Sequence, residues 1–462
     1  MNWQRYTKRL MFGVLILLSF SLLISACGTG ATDVLPDTAE DTGAPVVGED
    51  PADVAPVEIT FWHLESVDFR VEAYEKLADA FMAENPDVKV NIEVQSWGDA
   101  VPKLLAAAES DVLPDISQAS ASMALTMWES GKLQPVDSIV NAIDSDHSYL
   151  AENLRDKFYV WDDHYWAVPV WSQSIMLYYR SDLLNAAGLQ EPTNWDELLL
   201  AAEALTKDGS YGLNLPSKKA MFTDENAHAL MHTNGVRIFD ENGKVVFNSP
   251  ETVETLEYYQ KLAEFASPDS LQMDWAESEN NFATGKTNMG MFFGNVLDRI
   301  SKDNPDWGGE VRSMAIPTRD TDDYSGTETF VISMMVFSED PVKFEASQRF
   351  LEFMMEPESY IPWLTEMGAG TTFLPITETG ASSPDFKDYP AVAMYWESVQ
   401  AEIEASKNAE FYGFYYGPNP DIGPVNATNI IAEVFQKVYL GELTPEEAAV
   451  WGQEQIEALI TG

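Results

Sequence analysis

Val57-Glu58-Ile59-Thr60-Phe61-Trp62 alternates apolar and polar residues and is rich in β-branched and aromatic side chains, so it reads as a strand. Behind it, Phe69 to Glu84 carries Phe69, Ala73, Leu77, Ala80 and Phe81 at helical spacing, and Asn85-Pro86-Asp87 stops the helix. Val88-Lys89-Val90-Asn91-Ile92-Glu93-Val94 alternates again, Lys103 to Ala108 is helical, and Pro114-Asp115-Ile116 opens a short buried strand. Strand, helix, strand, helix, strand implies a parallel sheet joined by right-handed crossovers, hence an α/β fold.

Upstream of this body lie two segments of different character. Arg5, Lys8 and Arg9 precede a 15-residue apolar run, Leu10 to Ile24, which ends in Ser25-Ala26-Cys27. A positive start, a short apolar core and small residues describe a secretory signal peptide over 1–26, too short for a bilayer span of ~20 residues. Cys27 is the chain's only cysteine, so no internal disulfide is possible. A signal ending at cysteine resembles that of a bacterial lipoprotein, and the resemblance implies lipidation of Cys27 and cleavage before it. Residues 28–56 contain four Gly, four Pro, seven acids and no Lys or Arg, without apolar periodicity. With Cys27 they read as an acidic tether (27–56), carrying the body clear of a membrane.

Composition excludes several partners. Of 462 residues, 75 are Asp or Glu and 27 Lys or Arg, a formal charge of −48. Nucleic acid and anionic lipid surfaces both require clustered Lys and Arg, so neither is expected. The 45% hydrophobic content supports a large core, the roughly 400 residues beyond the tether suggest two or more domains, and 13 Trp leave some aromatic surface for a ligand cleft.

A family emerges from motifs in register. Phe81-Met82-Ala83-Glu84-Asn85-Pro86-Asp87-Val88-Lys89-Val90 resembles the opening of family 1 extracellular solute-binding proteins, the sugar receptors of ABC importers, among them maltose-binding protein. Leu113-Pro114-Asp115-Ile116, Gly131-Lys132-Leu133-Gln134-Pro135-Val136-Asp137, Tyr165-Trp166-Ala167-Val168-Pro169-Val170 and Leu177-Tyr178-Tyr179-Arg180-Ser181-Asp182-Leu183-Leu184 continue the likeness. Pro192-Thr193-Asn194-Trp195-Asp196-Glu197-Leu198, Asp240-Glu241-Asn242-Gly243, Phe282-Ala283-Thr284-Gly285-Lys286 and Leu443-Thr444-Pro445-Glu446-Glu447-Ala448 carry it to the C-terminus. Three departures bear on the ligand rather than the fold: Arg180 where the family prefers Asn or Asp, an unusual Trp171, and no tryptophan after Gly294.

The resemblance implies two α/β lobes, 57–170 with 328–373 and 171–327 with 374–462, crossed three times near 168–174, 326–333 and 372–375. It also implies a monomer that closes on a small ligand, a sugar above all, and delivers it to the transmembrane subunits of an ABC permease. Ligand contacts belong at the carboxyl ends of strands. His63 and Glu65 stand in the loop after the first strand, Trp97 after the second and Ser120 after the third. Trp171 lies at the first crossing, Asn295 on the loop after Met289–Phe293, Gly370 before the third crossing, and Tyr412 and Tyr415 in a late aromatic loop. Aromatic faces stack on the C–H face of a sugar while polar neighbours take its hydroxyls. On this reading Trp97→Ala or Trp171→Ala weakens binding without unfolding.

Other motifs read as structural. Thr193 or Asn194 caps a helix with Trp195 as a packing anchor; Asn242-Gly243 makes a hairpin turn; Ser249-Pro250 starts a helix running to Phe265. His228 and His232 stand at i, i+4, but Ala229 replaces the glutamate a zinc protease needs, so both read as helix-surface histidines. No nucleophile elbow, P-loop or dinucleotide fingerprint occurs, and neither cofactor nor metal is expected. A carbohydrate-active enzyme, a ligand sensor, and a receptor for peptide or polyamine are the alternatives; polyamines call for cleft acids that the sequence does not locate.

Overall fold

The computed structural model describes residues 55–461 except 208, 321–326, 369 and 409. The signal peptide, Cys27 and almost all of the expected tether therefore lie outside the described residues, as do Gly326 and Ala369 near the second and third crossings.

Strand β1 (Val57–His63) pairs in parallel with β2 (Val88–Val94) on one side and β3 (Ile116–Ala119) on the other. The helix Asp68–Glu84 joins the first two and buries Ala73, Tyr74, Leu77, Ala78 and Phe81. It ends where expected, because both the backbone N–H and the side-chain amide of Asn85 donate to the Phe81 carbonyl. Asp115 pins the layer: it accepts from the Thr60 N–H at 2.9 Å and pairs with Lys343 at 3.1 Å. β1 runs one residue further than its sequence suggests. His63 pairs with Val94, and its carbonyl accepts from Gln95, so it belongs to a strand and not to a loop.

Beyond β3 the sheet is no longer parallel. β9 (Glu328–Val336) runs antiparallel between β3 and the 13-residue β6 (Val168–Arg180). The far half of β6 pairs with β7 (Met289–Phe292) and β8 (Val311–Met314), and a small hairpin, β4 (Val160–Trp161) with β5 (His164–Tyr165), lies apart. The parallel sheet implied by the opening motifs thus covers only β1–β3; the whole is a mixed α/β sheet in the order β2-β1-β3-β9-β6-β7. A strand returning from late in the chain pairs antiparallel without a crossover helix, and no local pattern announces it.

The helical motifs behave as their sequences demand. Asn194 accepts from the Glu197 N–H at 3.0 Å, and Glu197 reaches back to the Thr193 N–H at 2.7 Å. Trp195 is buried and stacks on Tyr258 at 4.1 Å. Ser249 caps Pro250–Ala263, two residues shorter than expected, and Asp240 closes the hairpin turn by accepting from Asn242 and Lys244. The helix Met221–His232 corrects the reading of its histidines. Phe222 to His232 are all buried, with His228 and His232 only 1% and 2% exposed, because the helix is packed between Ile430–Tyr439, Pro250–Ala263 and β9. Asp224 fastens this arrangement by accepting from the Ala432 N–H, in the first turn of Ile430–Tyr439, at 2.8 Å. Among the described residues no helix is long and apolar enough to cross a membrane.

Candidate ligand-binding cleft

The sheet has a waist. β3 pairs with β9 only as far as Ser333, while β7 and β8 begin to pair with β6 at Met176 and Leu177. Between those limits β6 and β9 have only each other as strand partners, and at Ser174–Thr329 both outward N–H groups leave the ladder. Ser174 donates to the Glu402 carboxyl at 2.8 Å and Thr329 to the Glu410 carbonyl at 3.0 Å. The chain passes the waist a third time at Leu374, which exchanges both backbone hydrogen bonds with Ser172.

Side chains alternate across a strand, so directly paired residues share a face. Gln173 and Phe330 are register partners, and inside these two strands they alone are not buried. An incompletely buried Phe at the centre of a sheet marks an opening to solvent on that face. Trp171, Ile332 and Glu328 stand on the same face at period two.

Two walls rise from this floor. On one side, Glu65 accepts from Arg70 at 2.7 Å, Trp97 Nε1 at 3.2 Å and Gln118 Nε2 at 3.4 Å. Arg70 lies 4.8 Å over the Phe373 ring, and Phe373 in turn packs on Trp171 at 4.1 Å. On the other side, Phe330 meets Phe293 at 5.4 Å, Phe293 stacks on Trp275 at 5.3 Å, and Trp275 packs on Phe222 at 4.4 Å. Tyr412 completes that wall: its N–H donates to Glu328, and its ring stacks on His228 at 4.2 Å.

The expected contacts are distributed unevenly over this frame. Glu65 and Trp97 are hydrogen-bonded to each other, and Trp171 reaches them through Phe373 and Arg70. Gly370 leads into Thr371, whose hydroxyl donates to the Gly294 carbonyl at 3.1 Å, next to Asn295. Asn295 opens the helix Asn295–Asp303, not a loop, and its amide donates to Glu279. Ser120 is spent as the N-cap of Ala121–Glu129. Tyr415 sits further out, against His232 and under Arg237. His63 is fully buried and stacks on Tyr74 at 4.3 Å; burial pushes its pKa down to about 4, so the ring is neutral at pH 7 and faces the core. Trp171 is likewise buried, so the expectation that Trp171→Ala leaves the fold intact does not survive its packing.

Sequence reasoning missed Gln173, Phe330, Trp275, Glu225 and Glu328. The last two are 6% and 2% exposed, and burial, reinforced by neighbouring carboxyls, holds both well above the usual carboxylate range. Tyr412 is pushed up in the same way, by burial and then by Glu328, Glu225 and Asp224. Among the described residues no group of three or more His, Cys, Asp or Glu is placed to hold a metal ion.

The arrangement combines a floor of amide and aromatic, aromatic walls, and carboxyls beside them. Residues 70–361 match the family described as bacterial extracellular solute-binding protein. The putative ABC transporter periplasmic-binding protein YcjN of Escherichia coli (strain K12) is 24% identical over 415 residues, 87% of this chain and 93% of that protein. Among solved structures, the cyclic alpha-maltosyl-1,6-maltose binding protein from Arthrobacter globiformis superposes with a TM-score of 0.72 at 22% identity, covering 88% of this chain and 100% of that one. The sugar-binding protein MalE of Xanthomonas citri gives 0.73 at 17% identity, over 88% and 98%. These neighbours share a two-lobed fold, and the family match spans more than half the sequence: the chain belongs to the bacterial extracellular solute-binding proteins.

Proposed function

We propose that this chain is the receptor of an ABC importer, taking a carbohydrate between two lobes and handing it to a membrane permease. The opening over Gln173 and Phe330 carries the reading. A partly exposed ring at Phe330 and rings at Trp275 and Trp97 offer faces for the C–H surface of a sugar, and Gln173, Glu65 and Glu328 offer partners for its hydroxyls. The resemblance to sugar-binding proteins of known structure supports the same ligand class. In this reading the lobes are 57–170 with 328–373 and 171–327 with 374–462, and the waist of β6, β9 and Leu374 is the hinge between them. The N-terminal sequence supports a lipid on Cys27, which would hold the monomeric receptor beside its permease.

Calorimetry of the soluble body against mono- and oligosaccharides tests the ligand class, with binding of at least one sugar and no turnover as the expected result. A panel in which no carbohydrate binds while a peptide does removes the sugar and leaves the fold. Cys27→Ser tests the anchor: the full chain is expected to move from the membrane fraction to the soluble one, and unchanged partitioning refutes lipidation.

A further inference from the structure

On the Met221–His232 helix, Phe222, Glu225 and His228 follow at three-residue spacing and so share a face. That face closes a circuit of rings: His228 on Tyr412 at 4.2 Å, Tyr412 to Phe330 at 6.1 Å, then Phe293, Trp275 and back to Phe222. Two carboxyls belong to the circuit. Glu328 lies on the cleft face of β9, two residues from Phe330, with one oxygen accepting from the Tyr412 N–H. Its other oxygen, Oε2, is buried without a partner, and so is Oε2 of Glu225.

The neighbouring charges do not compensate them. Asp224 accepts from the Ala432 N–H, with His228 Nε2 3.4 Å from its carboxyl. Lys218 is paired with Asp274 at 3.1 Å, and Lys157 with Glu410. Among the described residues no Lys, Arg or His forms an ion pair with Glu225 or Glu328. Two buried carboxyls with free oxygens, enclosed by aromatic faces, lack one thing, a positive charge. Carboxylate and π-face together are the recognition chemistry of an ammonium group.

Resting on the carbohydrate reading, we propose that the ligand is an amino sugar, its protonated amine held between Glu225 and Glu328 against the ring of Tyr412. The carboxylates accept two of the ammonium hydrogens, the aromatic circuit excludes water, and the hydroxyls of the same sugar fall towards Gln173. In the empty protein burial raises the pKa of both carboxyls and so favours their protonated forms. A cation selects the ionised forms, so binding releases protons and tightens with rising pH. Asp224 acts on both carboxyls and Asp274 on Glu225, so substitution of the pair separates their roles where a pH profile alone does not.

The test pairs sugars that differ only in hydroxyl or amine: glucose with glucosamine, galactose with galactosamine, cellobiose with the chitosan-derived glucosamine dimer. Calorimetry at pH 7 is expected to favour the amine of at least one pair by ten-fold or more, with proton release in buffers of different ionisation enthalpy. Glu225→Gln and Glu328→Gln, which keep the side-chain shape, should each reduce that preference towards unity while the protein still melts cooperatively. Equal or tighter binding of the neutral partner overturns the proposal and leaves the carbohydrate reading standing. Spermidine binding that both substitutions abolish, with no sugar bound, keeps the ammonium site and ends the carbohydrate reading. A preference that survives both substitutions, or no binding by any amine-bearing probe, overturns the proposal outright.

Discussion

Glu402 offers a direct measurement of what a buried carboxyl does at the waist. Its side chain comes from the helix Trp396–Ser406 and accepts from the Ser174 N–H at 2.8 Å and from the Tyr178 hydroxyl at 3.4 Å. It is 1% exposed, and burial lifts its pKa from 4.5 to about 8, against the opposing pull of those two donors. An acid whose native value is raised binds its proton more tightly folded than unfolded. Stability is then full below about pH 4.5 and falls as pH rises towards 8. At 1.36 kcal/mol per unit, this shift costs about 5 kcal/mol once the group is fully ionised, and about 3 kcal/mol by pH 7. Glu402→Gln removes the titration while its amide oxygen still accepts from Ser174. Urea unfolding of both proteins at a series of pH values reads the difference, which should be small near pH 5 and grow in favour of the variant through pH 8. Glu225 and Glu328 also lower stability with rising pH, but they are present in both proteins and cancel. A difference that stays flat between pH 5 and 8 refutes the reasoning, since it would mean that Glu402 does not titrate there in the native state.

Five substitutions probe the packing of the cleft and its surroundings. Trp171→Ala removes a buried ring stacked on Phe373 and should cost about 3–5 kcal/mol in denaturant unfolding, whereas Trp97→Ala, at a 38% exposed site with one hydrogen bond to Glu65, should cost about 1 kcal/mol; equal losses would mean that the burial contrast is wrong. Gly294→Ala would place its Cβ 1.7 Å from the Thr371 carbonyl oxygen, while Gly423 has nothing within 4 Å, so soluble yield should collapse for the first and persist for Gly423→Ala. Phe330→Ala should weaken sugar binding at least ten-fold with a smaller loss of stability than Trp171→Ala, because its ring is only partly buried; undiminished affinity takes Phe330 off the floor.

What was legible in the sequence was local. β1, its helix and β2 announce themselves because each buries one face and so prints its own period on the chain, and Asn85 and Asn194 stop or start helices with bonds made within four residues. The family motifs carried the two-lobed architecture, which no periodicity could supply. The waist was not legible, because β6 is buried on both faces for most of its length and its burial shows no alternation except at Gln173. The buried histidines were misread for a related reason. A helix packed on several sides shows no polar stripe, yet Asp224, Glu225, Asn226, His228 and His232 made this one look like a surface helix. Its polar residues are buried because they face β9 and the terminus of Ile430–Tyr439, both distant in sequence.

In the proposed reading, ligand and hinge share the same few residues of the waist. Gln173 and Phe330 turn one way from the β6–β9 pair; Ser174 and Thr329, the next pair along, turn the other way and share a hydrogen bond at 2.7 Å. The front of the strand pair is therefore the floor of the opening; Glu402, which also accepts from Tyr178 on the back face, and Glu410 take the two in-plane N–H groups that no strand claims. A sheet only two strands wide bends more easily than one flanked by further strands, and any bend there changes the separation of walls anchored on either side: Glu65 and Trp97 beyond β3, Trp275 and Phe293 beyond β7. A ligand that touches both walls gains contacts only in the bent form, so its binding energy is what selects that form. It follows that Glu402→Gln, which leaves the floor untouched, should flatten the pH dependence of ligand affinity as well as that of stability. If it changed stability alone, the back of the waist would be a passive support and not part of the closing movement.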